Sequence, residues 1–260
     1  MILAAGAGNR LRPITLRRPK PLCPVGNVPL LDQAVERARP VADRLAVNVH
    51  HGRDQLERHL ASMPEVHVSV EPDRALGTAG ALGHLRGWLA GRDVMAVNAD
   101  TWCDADLTPF AQGWDRTRPR VVVAGEAAFG PRARVVATFL PWKHVAGLDD
   151  TPAELYETVW RPAAAAGQLD VVGYDGAFFD CGTPASYLAA NLGAVARAGS
   201  SIIGPHTHLA GAVVDSVVGE GCTVDGHVRS SVVWEGGEVA AIERLDRAIR
   251  VSATMTVLVR

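Results

Sequence analysis

The sequence is poor in cysteine, in lysine and in long apolar runs, and each shortage excludes a class of protein. Its four cysteines are scattered and form no Cys-x-x-Cys pair. We therefore expect neither a disulfide framework nor a zinc site, and reduced thiols favour a cytoplasmic protein. No apolar stretch reaches the roughly 20 residues that a membrane helix needs. The apolar start breaks at Gly6 without a positively charged leader, which predicts a buried strand and not a signal peptide.

Charge is nearly balanced, with 26 basic residues, 28 acidic residues and a formal net charge of −2. Bulk nucleic-acid binding, which needs a basic face, is therefore not indicated. A hydrophobic share of 48% is typical of a globular chain with a full core. Only two of the basic residues are lysines, Lys20 and Lys143. A lysine is therefore unusual in this arginine-rich chain, and its position needs a functional or structural explanation.

Up to about residue 198, predicted strands and helices alternate. The predicted strands are Ile2–Ala5, Leu45–Val49, Val66–Val70, Val94–Asn98 and Val121–Ala124. The predicted helices are Leu30–Arg39, Arg53–Ser62, Thr78–Trp88, Thr151–Ala166 and Pro184–Arg197. This alternation predicts a mostly parallel sheet with helices on both faces.

A fifteen-residue repeat follows, in which SIIGPHTHLAGAVVD, SVVGEGCTVDGHVRS and SVVWEGGEVAAIERL begin at positions 201, 216 and 231. Apolar residues recur at this spacing: Ile203, Val218 and Val233, and also Leu209, Val224 and Val239. Short strands and turns at a fixed period indicate a β-solenoid, with a hairpin meander as the alternative. We expect a capping helix over 238–250, a terminal strand over 253–260, and domains of residues 1–198 and 199–260.

The most specific chemical signal is a glycine loop that follows the first predicted strand. Gly6 and Gly8 allow the backbone N–H groups to point at phosphate. Five cations follow, as a triphosphate would require: Arg10, Arg12, Arg17, Arg18 and Lys20. A dinucleotide fingerprint would need glycine where Leu11 stands, and the Gly-Lys-Ser/Thr of a P-loop is absent. The alternative is a tight turn with solvated arginines, but Lys20 lies between two stiff prolines, which argues against it.

Two aspartates follow or interrupt apolar strands, and the first of them is a candidate metal ligand. Asp100 ends the stretch VMAVNAD, and Asp180 lies in FFDCGTP, which also starts a helix with Thr183 as its cap and Pro184 in its first turn. A buried carboxylate is costly without a partner, and magnesium is a natural one. Asp104 and Asp106 are better interpreted as solvated loop residues.

The segments LAAGAGNRLRPIT and RPKPL resemble the signature of the sugar nucleotidyltransferase family, also called NDP-sugar pyrophosphorylases. The resemblance covers nearly the whole chain. It implies an α/β fold, with a Rossmann-like three-layer αβα domain and a short C-terminal left-handed β-helix of the hexapeptide-like kind. It also implies that Mg²⁺ on Asp100 and Asp180 is the cofactor, and that Arg10, Lys20 and Asp100 are catalytic. Nucleotide binding would fall on Ala4, Ala5, Gly6, Gly8, Gly77, Thr78 and Gly80. A simple helix start is the alternative for the last three.

The activity implied by the resemblance is transfer of a nucleotide from an NTP to a sugar 1-phosphate. The sugar-phosphate oxygen is largely ionised at neutral pH, so alignment and charge neutralisation are the tasks left to the protein. The Glu-Lys-Pro element that relatives use for the sugar phosphate is missing. Its stand-ins would be Glu126, Arg132, Arg134 and Lys143. Mannose 1-phosphate with GTP is our first expectation, and other sugars and nucleotides stay open.

Two other classes of function are open alternatives: a non-catalytic regulatory subunit of the same fold, and an acyltransferase built on the solenoid. The four intact residues Arg10, Lys20, Asp100 and Asp180 argue against the first, and the small number of coils argues against the second. His50, His51, His206 and His208 are interpreted as surface residues and not as metal or acyl-transfer residues. The expected partners are the two substrates, without nucleic acid or membrane, and a homo-oligomer is left open.

Overall fold

The computed structural model describes residues 1–259, which divide into two compact units. The first unit comprises residues 1–7 and 31–178, and the second comprises residues 8–30 with the chain from residue 179 onward. The division passes through the glycine loop after Ala7, so Gly6 and Gly8 belong to different units. Within residues 1–259, no helix is both long enough and apolar enough to span a bilayer.

The first unit is built on a seven-stranded sheet. In spatial order the strands are Asp170–Tyr174, Arg120–Ala124, Val135–Leu140, Val94–Asn98, Ile2–Leu3, Leu45–Val49 and Val66–Val70. Only Val135–Leu140 runs antiparallel to its neighbours in this sheet. The prediction of a mostly parallel sheet is therefore confirmed, and three of the predicted strands have the predicted bounds.

Helices cover this sheet with apolar side chains. Their bounds are Leu30–Ala38, Arg53–Leu60, Gly77–His84, Arg86–Leu89, Thr108–Gln112, Trp142–Val145 and Arg161–Ala165, the last preceded by a π-helical turn at Tyr156–Trp160. Leu82, Leu85 and Leu155 pack with Ala46 and Val94 of the sheet in one buried cluster. The predicted helix over 151–166 begins only at Tyr156, because Ala153 forms backbone hydrogen bonds with Leu76 and Ala79 instead of continuing a helix.

The second unit contains the longest helix, Pro184–Ala198, and its ends follow from the sequence. The Thr183 hydroxyl accepts a hydrogen bond from the Ser186 N–H at 3.2 Å, and the Ser186 hydroxyl reciprocates with the Thr183 N–H at 3.0 Å. Pro184 occupies the first turn, where no N–H is needed, and Gly199 ends the helix with a φ of 74°. The predicted helix over 184–197 is thus confirmed to within one residue.

The repeat forms three ladders of short parallel strands. Ile203 pairs with Val218 and Val218 with Val233 in the first ladder, while Leu209, Val224 and Val239 follow one another in the second. Strands Ala212–Val214, His227–Arg229 and Arg244–Asp246 make the third ladder. Val218, Val224 and Val228 are buried together between the ladders. The fifteen-residue spacing predicted from the sequence separates paired residues in both steps of the second ladder, in the first two steps of the first ladder and in the first step of the third. The last pairing of the first ladder and the last of the third are each offset by 17 residues, as in Val232 with Ile249 and His227 with Arg244.

The predicted helix over 238–250 was wrong. This stretch forms the strands Glu238–Val239, Arg244–Asp246 and Ala248–Ser252, each of which extends a ladder. Val239, Ile242, Leu245 and Ile249 are spaced as on one face of a helix. The strands before them, however, have free edges, and a further strand can form hydrogen bonds to these edges. Met255–Leu258 then pairs antiparallel with Ala248–Ser252, in agreement with the predicted terminal strand.

Candidate active site

The carboxyl ends of neighbouring parallel strands open onto one cavity of the first unit. The cavity has a volume of about 480 Å³. It is lined by Leu3, Ala5, Gly6, Asn48, Ala75, Gly77, Thr78, Asn98, Asp100, Pro152, Ala153 and Glu154. Ligands of open α/β sheets bind at this edge. Three separate stretches of sequence that we singled out, around Gly6, Thr78 and Asp100, thus meet in a single lining.

Asn48, which the sequence reasoning missed, ties the glycine loop to the wall of this cavity. Its Oδ1 accepts a hydrogen bond from the Ala4 N–H at 2.8 Å, and its Nδ2 donates to Glu71 Oε1 at 2.7 Å. Glu71 Oε2 in turn accepts from the Leu76 N–H at 2.8 Å. Asn48 and Glu71 are 2% and 1% exposed. The Ala4 amide is therefore committed to this network, and Ala4 is not among the lining residues.

The glycines of the helix Gly77–His84 allow close packing of protein against protein. A Cβ added at Gly80 would lie 2.2 Å from the Thr151 carbonyl oxygen, and one at Gly77, whose φ is +70°, would lie 2.5 Å from that of Ala153. The segment 151–154 consequently lies against the helix and presents Glu154 to the cavity. Gly77 and Thr78 line the cavity, whereas Gly80 faces this segment instead.

Thr78 and Glu154 form the polar end of the cavity. The Thr78 hydroxyl donates to Glu154 Oε2 at 2.8 Å and accepts from the Leu155 N–H at 2.7 Å. The Thr78 N–H also donates to Glu154 Oε2, at 3.3 Å. Both donors of Thr78 therefore converge on one carboxylate oxygen, and a polar ligand in the cavity would meet Glu154.

Asp100 is half-buried and lines the cavity immediately after the strand Val94–Asn98. Asp104 and Asp106 are exposed, as expected, and both stabilise local backbone. Asp104 accepts from the Ala177 N–H at 2.9 Å, and Asp106 accepts from the Thr108 N–H at 2.9 Å. Of these three carboxylates, only Asp100 lines the cavity.

The second unit gathers the cationic part of the signature around Asp180. Lys20 Nζ lies 3.3 Å from Asp180 Oδ1, and Arg10 Nη2 lies 3.6 Å from Asp180 Oδ2. Lys20 is 5% exposed, whereas the Arg10 side chain is 73% exposed. A lysine is rarely buried without a partner, and Asp180 is that partner. Arg10 remains available to an incoming anion.

Gly8 and Gly182 make room for this cluster. Gly8 has a φ of +62°, and a Cβ there would lie 3.1 Å from Lys20 Cβ. A Cβ at Gly182 would lie 2.9 Å from Arg10 Nη2 and 3.0 Å from Asp180 Oδ1. The absence of a side chain at Gly182 therefore leaves space for Arg10 and Asp180 to approach each other.

A second cavity of about 220 Å³ adjoins the first and shares Leu3, Thr78, Asn98 and Glu154 with it. Its further lining residues are Ala96, Val97, Ala133, Val135, Val136, Thr138, Leu155, Tyr156 and Trp160. The lining of neither cavity includes any of the predicted stand-ins for the Glu-Lys-Pro element. Arg134 instead donates to the Phe178 carbonyl oxygen, and Lys143 is exposed on a short helix.

The residues present fit a magnesium ion that arrives with a phosphate substrate. Residues 1–259 contain no group of three or more His, Cys, Asp or Glu side chains that could hold a metal by themselves. Magnesium is commonly held by one or two carboxylates together with substrate phosphates and water, and Asp100 presents one such carboxylate to the cavity. His51, His206 and His208 are exposed, in agreement with the surface interpretation. The four cysteines are buried, and none of them forms a disulfide within residues 1–259.

Comparison with known proteins identifies relatives of this site. Residues 1–127 match the model of the nucleotidyl transferase family. The N-acetylmuramate alpha-1-phosphate uridylyltransferase of Caulobacter vibrioides is 35% identical over 129 residues, which cover 45% of this chain and 53% of that protein. The chain therefore spans about half the length of this relative.

Two further similarities extend over more of the chain. The mannose-1-phosphate guanylyltransferase of Mycobacterium tuberculosis is 25% identical over 96% of this chain and 78% of its own length. A solved structure from Bacillus anthracis, assigned as a glucose-1-phosphate thymidylyltransferase in complex with sucrose, superimposes with a TM-score of 0.64 at 21% identity, over 75% of this chain and 94% of its own. This superposition shows that the fold is the mixed α/β nucleotidyltransferase fold. Residues 1–127, which contain the glycine loop, Lys20 and Asp100, are thus similar to the nucleotidyl transferase family.

Proposed function

We propose that the chain is a magnesium-dependent sugar-1-phosphate nucleotidyltransferase, which joins an NTP and a sugar 1-phosphate and releases pyrophosphate. The observation that carries this proposal is the convergence of Gly6, Thr78 and Asp100 on one cavity at the carboxyl edge of a parallel sheet. The named activities of the relatives, which are uridylyl and guanylyl transfer to a sugar 1-phosphate, support the same class of reaction.

In the proposed reaction, an oxygen of the sugar phosphate attacks the α-phosphorus of the NTP, and pyrophosphate leaves from the opposite side. Asp100 would hold magnesium, which when bound neutralises phosphate charge, and Asp180 is the second carboxylate proposed for it. Arg10, with its exposed guanidinium, would bind the phosphoryl group on which charge develops. Lys20 would contact phosphate oxygens. No side-chain base is required, because the attacking phosphate is already largely ionised at neutral pH.

The larger cavity is the proposed place of the nucleoside, bounded by Ala5, Gly6, Gly77 and Thr78, and the smaller adjoining cavity is the proposed place of the sugar. Mannose 1-phosphate with GTP stays our first expectation for the substrates. The relatives differ in both nucleotide and sugar, so both identities have to be measured. We also propose that the three ladders are a left-handed β-helix, and that residues 1–198 and 199–260 are the two functional domains.

The test is pyrophosphate release from a matrix of five nucleoside triphosphates and a panel of sugar 1-phosphates, with and without a chelator of magnesium. Release in one combination, abolished by the chelator, is the expected result. The variant Asp100→Asn should lose at least a hundredfold in kcat, in line with the roughly 10²–10³-fold effect of removing one group that stabilises developing charge. Asp106→Asn, in the following loop, is the matched control and should keep full activity.

The outcomes separate the proposed enzyme from its alternatives. Nucleotide binding without release in any combination would support a non-catalytic subunit of the same fold. Equal turnover of Asp100→Asn and Asp106→Asn would refute the role of Asp100. Arg10→Ala tests the second unit separately, because its side chain is exposed and its removal should leave the fold intact. A variant that folds normally and keeps full turnover would refute the role of Arg10.

A further inference from the structure

One tryptophan of the fifteen-residue repeat contacts both ends of the segment that carries Lys20. The guanidinium of Arg18 lies over the Trp234 ring, 4.6 Å from its centroid, and also pairs with the carboxylate of Glu235. At the other end, the Trp234 Nε1–H donates to the Tyr187 hydroxyl at 3.0 Å, and that hydroxyl donates to the Pro24 carbonyl oxygen. Residues 18–24 are therefore fixed at their first and last positions.

The hydrogen bonds that join Trp234 to Tyr187 and Tyr187 to Pro24 lie in an interior from which water is excluded. Trp234 is 3% exposed and Tyr187 is fully buried. Burial raises the pKa of Tyr187 well above its ordinary value, so its hydroxyl stays protonated and keeps donating to Pro24. Hydrogen bonds and cation–π contacts are stronger where water is excluded. The anchor at Pro24 is therefore firmer than an exposed contact of the same kind would be, whereas the ion pair of Arg18 with Glu235 is partly exposed.

The contacts at the two ends add to the local bonding of the segment. Pro19 and Pro21 have no N–H, and the Cys23 thiol makes long hydrogen bonds to the Arg18 and Pro19 carbonyl oxygens, at 3.9 and 3.8 Å. A short turn adds bonds from Leu22 N–H to the Pro19 carbonyl at 2.9 Å and from Cys23 N–H to the Lys20 carbonyl at 3.0 Å. Lys20 projects from the middle of this turn towards Asp180. A shift of either end would therefore move the ammonium group.

We propose that Trp234, together with Glu235, is a positioning residue that fixes Lys20 for the phosphates of the nucleotide. The fifteen-residue repeat then contributes to nucleotide binding without itself touching the nucleotide. This inference rests on the proposed function for the role of Lys20. The arrangement of the anchors is independent of that function and can be measured separately.

The test compares three variants that each remove one polar group of the anchors. Trp234→Phe removes the indole N–H, Tyr187→Phe removes the bridging hydroxyl, and Glu235→Gln removes the ion pair of Arg18 at a side chain that is 49% exposed. We expect each to raise the dissociation constant and the KM of the nucleotide by about three- to tenfold, as the loss of one such contact would. The KM of the sugar phosphate should change by less than twofold.

The matched control is Val239→Ala, which truncates a buried residue of the same repeat away from these anchors. It should lower the thermal midpoint as Trp234→Phe does and leave the nucleotide KM unchanged. An unchanged nucleotide KM in folded Trp234→Phe and Glu235→Gln, or an equal increase in Val239→Ala, would overturn the proposal.

Hydrogen exchange of the Leu22 and Cys23 amides distinguishes failure of this inference from failure of the proposed function. Faster exchange in Trp234→Phe and Tyr187→Phe than in Val239→Ala is the expected result. If the wild type bound no nucleotide but showed this difference, the proposed function would fail and the anchoring by Trp234 would stand. Equal exchange in all three variants would overturn the anchoring, whatever the activity.

Discussion

Alanine at Gly80 tests whether the glycines of the helix Gly77–His84 serve packing. The new Cβ would lie 2.2 Å from the Thr151 carbonyl oxygen, whereas a carbon–oxygen contact of about 3.3 Å is normal. Segment 151–154 would have to move by about 1 Å. Such a movement strains the hydrogen bonds that the N–H groups of Ala79 and Gly80 donate to the Ala153 carbonyl, at 2.9 and 3.3 Å.

Three terms give the expected size of the effect. Overpacking costs about 1–3 kcal/mol, and each weakened hydrogen bond costs up to about 1 kcal/mol. In the opposite direction, alanine in place of glycine stabilises a helix by about 1 kcal/mol. The free energy of unfolding of Gly80→Ala should therefore fall by about 2 kcal/mol, with an upper limit of about 4 kcal/mol. Nucleotide affinity should fall as well, because Thr78 and Glu154 lie at the contact that moves.

Gly87→Ala is the matched control, since a Cβ at this helical position would have no neighbour within 4 Å. Its free energy of unfolding should rise by about 0.5–1 kcal/mol. Urea denaturation of the two variants, followed by circular dichroism, measures the difference directly. If Gly80→Ala were as stable as Gly87→Ala, the packing account of this helix would be refuted.

Further predictions concern buried polar groups and one thiol. Asn48→Ala leaves the Ala4 N–H and the Glu71 carboxylate without their partner, so we expect urea denaturation to show a loss of about 2–4 kcal/mol; a loss below 1 kcal/mol would contradict this. Arg250, 7% exposed, donates to the Glu238 carbonyl at 2.7 Å and to Glu243, whose pKa its hydrogen bond lowers. Arg250→Ala should cost about 3 kcal/mol in the same assay, and a neutral result would refute its structural role. Burial raises the pKa of Cys23 from 9.0 to about 12. Because the native thiol keeps its proton while the unfolded thiol loses it, this contribution to stability is full below pH 9 and declines as the pH rises towards 12. The decline should be shallower in Cys23→Ala, and identical pH profiles of unfolding would contradict the assignment.

Periodicity was sufficient to predict most of the fold. The strands Leu45–Val49, Val66–Val70 and Val94–Asn98 are short β-branched runs bounded by turns, and their observed bounds are the predicted ones. The period of the repeat was readable for the same reason, since each coil buries the same positions. Periodicity misled over 238–250, where Ile242 suggested a helical apolar face. Ile242 is instead 94% exposed, at a turn between two strands.

The candidate site was predictable only where a motif carried it. Gly6 and Asp100 gave local signals, Thr78 was found from the resemblance to the family, and all three line one cavity. The role of Gly80 was not predictable, because the carbonyl group it faces belongs to Thr151, far along the chain. Glu154 was not predictable either, because its partner Thr78 also lies far from it along the chain. Asn48 did give one, a polar side chain inside the buried strand LAVNV, which is the same reasoning that singled out Asp180.

The position of Trp234 limits how the repeat can change in length. Adjacent strands in a ladder are about 4.8 Å apart, so inserting or deleting one coil before Trp234 would displace it by that distance along the stack. Such a shift would separate the indole from Arg18 and Tyr187, which are held by other parts of the second unit. Coils added after Trp234 would leave those contacts unchanged. Relatives that keep these contacts should therefore vary in the number of coils only on the far side of this tryptophan.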